Sequence, residues 1–253
     1  MNRKILFLFL FQVTVLKSYA QLQTYYHKIE SVSNNEKSAT RLFQRIDSIK
    51  QTRQPHDSKV TTYFNRDVDF GYKHQRINVI FNGSNRYYVN LLTMGDSILI
   101  SSVCYDNSFF GDPLYDKLNK RENHPKIDTT KVLQYLKRRN DFYKSSKNIE
   151  DLVKELNLYK MYAFYCGDAS PKTKMGEYID ELVKNRDIKK LKNLLFSFCC
   201  EEQAYGVAGI KTLQKKNVKI PVEIIRIASY VNDRKSELIT CSGCIVGIIS
   251  TDY

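Results

Sequence analysis

The 253-residue chain contains no tryptophan, only five prolines and only four histidines, and its one long apolar run stands at the very start. Each shortage excludes something. The histidines, His27, His56, His74 and His124, all lie in the N-terminal half, whereas five of the six cysteines lie beyond residue 165. No Cys/His cluster with the spacing of a zinc site is formed in sequence, so no metal site is expected. Gly-x-Ser-x-Gly, the Walker loop, His-Glu-x-x-His and Gly-x-Gly-x-x-Gly are all missing, which removes the common signatures of hydrolytic, nucleotide-dependent and dinucleotide-dependent enzymes. No cofactor is expected, and nothing points to specific nucleic-acid recognition. The remaining acid/base pairs, His27 with Glu30 at i and i+3 and Asp67 with Asp69 on one strand face, are of a kind that chains of this size contain by chance. Missing tryptophan together with abundant Lys, Asn, Ile, Tyr and Ser is the usage of an A/T-rich genome.

What is present begins with MNRKILFLFLFQVTVLKSYAQ. A basic start at Arg3 and Lys4, an apolar run from Ile5 to Phe11 and a small residue before a cut after Ala20 read as a secretory signal peptide over residues 1–20. The run is shorter than the ~20 residues of a membrane span, and no cysteine stands at the cut to carry a bacterial lipid anchor. The ending resembles leaders of Gram-negative bacteria, which implies the periplasm or the exterior. No transmembrane segment is expected after its removal. Residues 1–20 hold Arg3, Lys4 and Lys17 and no acid, so 40 basic groups less these three against 27 acidic ones leave the mature chain at net +10. A basic exported protein of this kind can meet acidic glycans, lipid headgroups or extracellular DNA, and the expected partner is another protein or an acidic polymer.

Hydrophobic residues at 42% suffice for a core, and the pattern predicts an α+β fold. Ala39, Leu42, Phe43, Ile46 and Ile49 recur at helical spacing, with Ser33, Asn34 or Asn35 as the break and cap between two helices. Residues 76–105 alternate apolar and polar residues around Asn82-Gly83 and Gly95-Asp96, which predicts a three-stranded antiparallel meander with residues 60–64 as an added edge. Residues 107–127 read as a long loop whose Phe109, Phe110 and Tyr115 form a candidate binding lip. From 128 to 253 apolar stripes predict a bundle of α-helical hairpins, with caps at Asp128 or Thr129 and at Asn148 and with Pro221 opening the last helix. The expected division is 21–127 for helix and sheet and 128–253 for the helical region, either separate or packed as one domain.

Within the latter, DIKKLKNLLFSFCCEEQAYGVAGIKTL (187–213) resembles a single repeat of the HEAT and armadillo kind in an exported bacterial protein, with paired Leu194 and Leu195, a short turn, and a helix whose Gly206 and Gly209 allow close approach. The resemblance implies helical hairpins and, were the unit part of an array, protein binding on a concave face; no second copy stands at a fixed period.

All six cysteines, Cys104, Cys166, Cys199, Cys200, Cys241 and Cys244, survive signal removal and are disulfide candidates. A Cys241–Cys244 ring would limit denatured-state freedom by about 2 kcal/mol, and a link from Cys200 to either by about 4 kcal/mol, so a clamp from Cys199 or Cys200 to the tail is favoured, with Cys104 and Cys166 as the leftover pair. The alternative is a thiol-active protein using Cys241 and Cys244, against which stands the lack of any following helix to depress a thiol pKa. Finally, Lys184, Arg186, Lys189, Lys190, Lys192, Lys211, Lys215 and Lys216, with Lys219, lie opposite the apolar stripes and are the candidate basic surface. The expected function is that of a non-enzymatic binding or structural protein of the envelope or secretome.

Overall fold

The computed structural model describes residues 24–50, 58–81, 85–106, 125–243 and 245–250. Two helices, α1 (24–35) and α2 (Ala39–Lys50), precede four long strands, β1 (Lys59–Asp69), β2 (Tyr72–Phe81), β3 (Asn85–Met94) and β4 (Ser97–Asp106). A two-residue strand, β5 (Lys126–Ile127), completes an antiparallel sheet in the order β1-β2-β3-β4-β5. The meander is as expected, the edge strand is longer than 60–64, and the end of the expected 107–127 loop supplies β5. Phe109, Phe110 and Tyr115 lie outside the described residues.

Because side chains alternate across a strand, the sheet has two working faces. Ile77, Val79, Phe81, Tyr87, Val89, Leu91 and Val103 point to one, where Tyr26 and Ile29 of α1 and Leu42 and Ile46 of α2 cover them. Burying an aliphatic side chain of this size contributes about 2 kcal/mol, so this layer alone holds the helical pair in place. The helix break falls at Glu36 and Lys37 rather than at 33–35. The start of α2 is fixed from another element: the Asp96 carboxylate accepts from Thr40 N (2.9 Å), Thr40 Oγ1 (2.8 Å) and Ser38 Oγ, which in turn accepts from Arg41 N.

The opposite face is covered by the C-terminal half: α3 (Thr129–Tyr143), α4 (Ile149–Leu156), α5 (Lys174–Lys184), α6 (Ile188–Leu195), α7 (Cys200–Lys215) and α8 (Val222–Asp233). Asp128 caps α3, and Asn148 forms a capping box with Asp151 on α4. Pro221 sits at the N-cap of α8. Val132, Tyr135 and Leu136 of α3, Leu152 and Leu156 of α4 and Ala204 of α7 pack with Leu92, Leu99 and Ile100 of the sheet. A second core joins α5 to α8 through Ile179, Leu182, Leu191, Leu195, Val207, Ile210, Ile227 and Val231. Both cores include α7, buried on most sides from Cys200 to Leu213, so this helix joins the sheet layer to the helical layer. Its close packing on α6 needs the two glycines: a Cβ on Gly206 would come within 2.9 Å of Leu195 N, and one on Gly209 would overlap the Leu191 side chain.

The region 128–253 is not helical to its end. Ser-Glu-Leu-Ile-Thr-Cys and the residues after it form a hairpin, β6 (Glu237–Ser242) and β7 (Ile245–Ser250), turning at Gly243 with φ +58°. Its β-branched residues explain the preference for strand. No helix among the described residues is long and apolar enough to cross a membrane.

Candidate functional site

Two irregularities in β1 decide which side chains face the C-terminal half. Val60 pairs with Val79 on the α1/α2 face, but the register shifts between Thr62 and Phe64, leaving Tyr63 as an extra residue. A one-residue insertion inverts the side-chain parity of everything after it. Phe64 therefore pairs with Arg76 and Arg66 with His74, all facing the C-terminal half. A second shift between Asp67 and Asp69 inverts the parity again, so Asp69 pairs with Tyr72 and is buried while Asp67 pairs with Lys73 on the other face. Asp67 and Asp69 thus do not share a strand face, and no carboxylate pair forms.

Asp69 instead is the centre of a buried ionic cluster. Its Oδ2 accepts from Arg139 Nε at 2.7 Å, and its Oδ1 accepts from Arg234 Nη1 at 2.9 Å and Tyr143 OH at 2.7 Å. Arg139 also donates to Phe196 O and Ser197 O, and Arg234 donates to Gln203 Oε1 and Ser236 Oγ. Strand, α3, α7 and the end of α8 are thereby tied at one carboxylate. Burial works against the charge on Arg139, yet the Asp69 carboxylate more than offsets it and holds the guanidinium above its usual range. Burial, reinforced by Asp69, pushes the Tyr143 phenol up as well, so it stays a donor.

A second pair lies further along the strand. Arg66 Nη1 donates to Glu201 Oε1 at 2.5 Å, and the same oxygen accepts from Ile239 N at 3.0 Å while Cys199 Sγ donates to Oε2 at 3.2 Å. His74, whose Nδ1 is 3.4 Å from Arg66 Nη2, is pushed well below the ordinary histidine range by burial and by the two flanking arginines, and is neutral. Arg76 completes the row: Nε donates to Asn90 Oδ1 at 2.5 Å, and Nη2 to Leu158 O at 2.9 Å and Leu156 O at 3.3 Å. These side chains build a polar layer inside the protein whose groups are mostly committed to one another. Among the described residues no group of three or more His, Cys, Asp or Glu is placed to hold a metal ion. His27 and Glu30 do pair, at 3.5 Å on the surface of α1.

The cysteines differ from the favoured pairing. Cys166 is bonded to Cys241, with Cα atoms 5.6 Å apart, while Cys104, Cys199 and Cys200 are buried and take part in no disulfide among the described residues. The reason is local: the chain before Cys166 runs beside β6, with Tyr162 N bonded to Ile239 O and Gly167 N to Gly243 O, which brings Cys166 to Cys241. Cys199 points instead to Glu201, and burial pushes its thiol well up. Cys104 lies at 3.6 Å from Asn157 Oδ1, not near Cys166. Cys244 lies outside the described residues, and Cys241 is bonded to Cys166.

The basic candidates mostly converge. On α6 and α7 the contact order reverses, Gly206 meeting Leu195 and Gly209 meeting Leu191, so the two helices run antiparallel. The start of α6 and the end of α7 therefore lie at the same end of the bundle, with the α5–α6 and α7–α8 turns. Lys184, Arg186, Lys189, Lys190, Lys215, Lys216 and Lys219 are all exposed there. Arg186 and Asn217 adopt φ of +53° and +56° at the two turns, the left-handed geometry that stops a helix sharply. Asp187 is used as the cap of α6, accepting from Lys190 N at 2.9 Å. Two candidates fall elsewhere: Lys192 lies half-buried over the Phe196 ring, and Lys211 donates to Asn232 Oδ1 at 2.6 Å.

A groove of about 530 Å³ opens on the other side of the sheet, between Thr40, Phe43 and Gln44 of α2 and Lys73 and Gln75 of β2. Sequence reasoning did not find it, because its walls come from segments 30 residues apart. No family model matches the chain, and no curated protein or solved structure matches it.

Proposed function

We propose that this is an exported, non-enzymatic binding protein that engages an acidic polymer or an acidic protein surface through the cationic end of the α5–α8 bundle. The supporting observation is the convergence of seven exposed cations from α5, α6, α7 and the α5–α6 and α7–α8 turns on one end of the bundle, where Asp187 caps α6 and pairs with Lys190. Closely spaced like charges raise the local potential and draw oppositely charged partners, an effect that salt screens. Export is supported by the leader-like N-terminus and by the Cys166–Cys241 bond, a pairing that persists in oxidising compartments. The ion pairs at Asp69 and Glu201 supply rigidity, since their carboxylates are taken up by Arg139, Arg234 and Arg66.

The test is retention of the mature protein on immobilised heparin. Charge reversal at Lys189, Lys190, Lys215 and Lys216 is expected to move elution to much lower salt, whereas reversal of the same number of exposed lysines elsewhere, Lys28 of α1, Lys131 and Lys137 of α3 and Lys154 of α4, leaves it nearly unchanged. Equal shifts for both sets contradict a localised surface.

A further inference from the structure

The buried charges of the described residues do not balance. Among the described residues, Arg66, Arg76 and Arg139 are buried and the Arg234 side chain is 7% exposed, against two buried acids, Asp69 and Glu201. Arg139 and Arg234 share Asp69, and Arg66 takes Glu201. Arg76, 1% exposed, has no carboxylate within ion-pair distance among the described residues.

Its hydrogen bonding is incomplete in the same way. Nε and Nη2 are satisfied by Asn90, Leu156 and Leu158, but Nη1 has no partner among the described residues. Two neighbours on the same sheet face are also left with unpaired nitrogens, His74 Nε2 and Arg66 Nε. Register places them together: Arg66 stands opposite His74, and Arg76 is the next residue on that face of β2. Buried polar groups are paired in folded proteins almost without exception, and a buried guanidinium lacking a counter-charge is costly. Rings surround it, with the guanidinium carbon 5.1 Å from the Phe64 centroid, 5.6 Å from Tyr88 and 5.9 Å from Tyr159. Two half-buried phenols of this group, Tyr63 and Tyr159, meet at 3.0 Å; burial keeps both protonated, hence able to donate.

We propose that Arg76 Nη1 is the charge contact of a small-anion site on the inner face of the sheet, taking a monoanion such as a halide or the carboxylate of a small organic acid. The anion supplies the missing negative charge, and its binding is coupled to the stability of the fold. The site is separate from the cationic end: it is buried, holds one ion, and selects by size.

Two measurements on the mature protein test it together. The first is thermal unfolding at constant ionic strength with chloride, bromide, formate or acetate exchanged for gluconate, which is too large for the site. A ligand that binds only the folded state raises the melting temperature with its concentration, and such a rise is expected for at least one small anion, the halide and carboxylate series telling the two sources apart. The second is diffraction from crystals containing whichever anion raises the melting temperature, bromide standing for the halides through its anomalous signal, with a peak for that anion expected in contact with Arg76 Nη1. Arg76→Met is expected to remove both effects; should that variant not fold, the two wild-type measurements still decide. Water alone at Nη1, a bromide peak with no change in melting temperature (binding at crystal concentration only), or an anion effect with no peak at Arg76 would each overturn the proposal.

Discussion

Asp69 on β1 and Arg139 on α3 meet at 2.7 Å with both side chains excluded from solvent, 70 residues apart in sequence. Removing one partner of such a pair leaves a charge stranded in the interior, which costs about 3–5 kcal/mol. For Asp69 the loss strands two guanidiniums, since Arg234 depends on it as well. Asp69→Asn is expected to lower stability by at least that amount in urea unfolding. Arg139→Met, which leaves Asp69 still paired with Arg234, is expected to cost less. The reverse order would remove Asp69 as the centre of the cluster.

Gly206 and Gly209 lie in the interior of α7, where Ala at an exposed position would stabilise by about 1 kcal/mol. Here both substitutions are expected to destabilise, because α6 occupies the space. The order is set by what the methyl meets: backbone at Gly206, but the end of the Leu191 side chain at Gly209. Gly206→Ala should therefore cost more, of the order of 1–3 kcal/mol for an overpacked contact, and Gly209→Ala less. Thermal melts of the two single variants check the ranking.

The Cys166–Cys241 bond closes a loop with a sequence separation of 75. In the chain-entropy model that is worth about 4 kcal/mol, so Cys166→Ser and Cys241→Ser should each lose a similar amount. A non-reducing peptide map is expected to link these two cysteines. Cys199 and Cys200 should resist alkylation until the protein unfolds; fast labelling of either in the native state would contradict their burial.

Much of this arrangement was legible in the sequence and some was not, for identifiable reasons. Alternation around Asn82-Gly83 gave the meander, and helical stripes with Asp128 and Asn148 as caps gave α3 and α4. Arg139 was also visible in principle, since it continues the stripe of Val132, Leu136 and Tyr143, where an arginine must find a buried partner. The β1 bulges were not: an inserted residue has no local signature, yet the first moves Arg66 to the inner face and the second returns Asp69 to it. His74 and Arg76 alternate with Ile77 and Val79 as a solvent-facing side would, and only the packing of the C-terminal half shows that this side is covered. Disulfide connectivity depends on which segment runs beside β6, which spacing does not encode. Most of the basic candidates are exposed, and their meeting at one end follows only from the antiparallel run of α6 and α7.

Asp96 gives a prediction with a sign. Hydrogen bonds from Ser38 and Thr40 hold its carboxyl below the ordinary value of 3.8. A depressed folded pKa means that the unfolded chain takes up the proton first as pH falls. The contribution of Asp96 is thus fully present above the unfolded value and is lost as pH drops through the folded one. Asp96→Asn should destabilise the docking of α2 at neutral pH, and the gap between variant and wild type should close in acid. A gap that is constant from pH 7 to pH 2 would show that the charge is not what matters.

The binding account rests most directly on the salt dependence of affinity for a defined anionic polymer, measured for the mature protein by titration from low to moderate salt. Each cation that contacts the polymer releases counterions, so the slope of log affinity against log salt counts the contacts. A steep slope that falls by roughly one unit for each of Lys189, Lys190, Lys215 and Lys216 replaced by Ala is the predicted result. A shallow slope, or one that these replacements leave unchanged, would contradict the assignment of binding to the cationic end of the bundle.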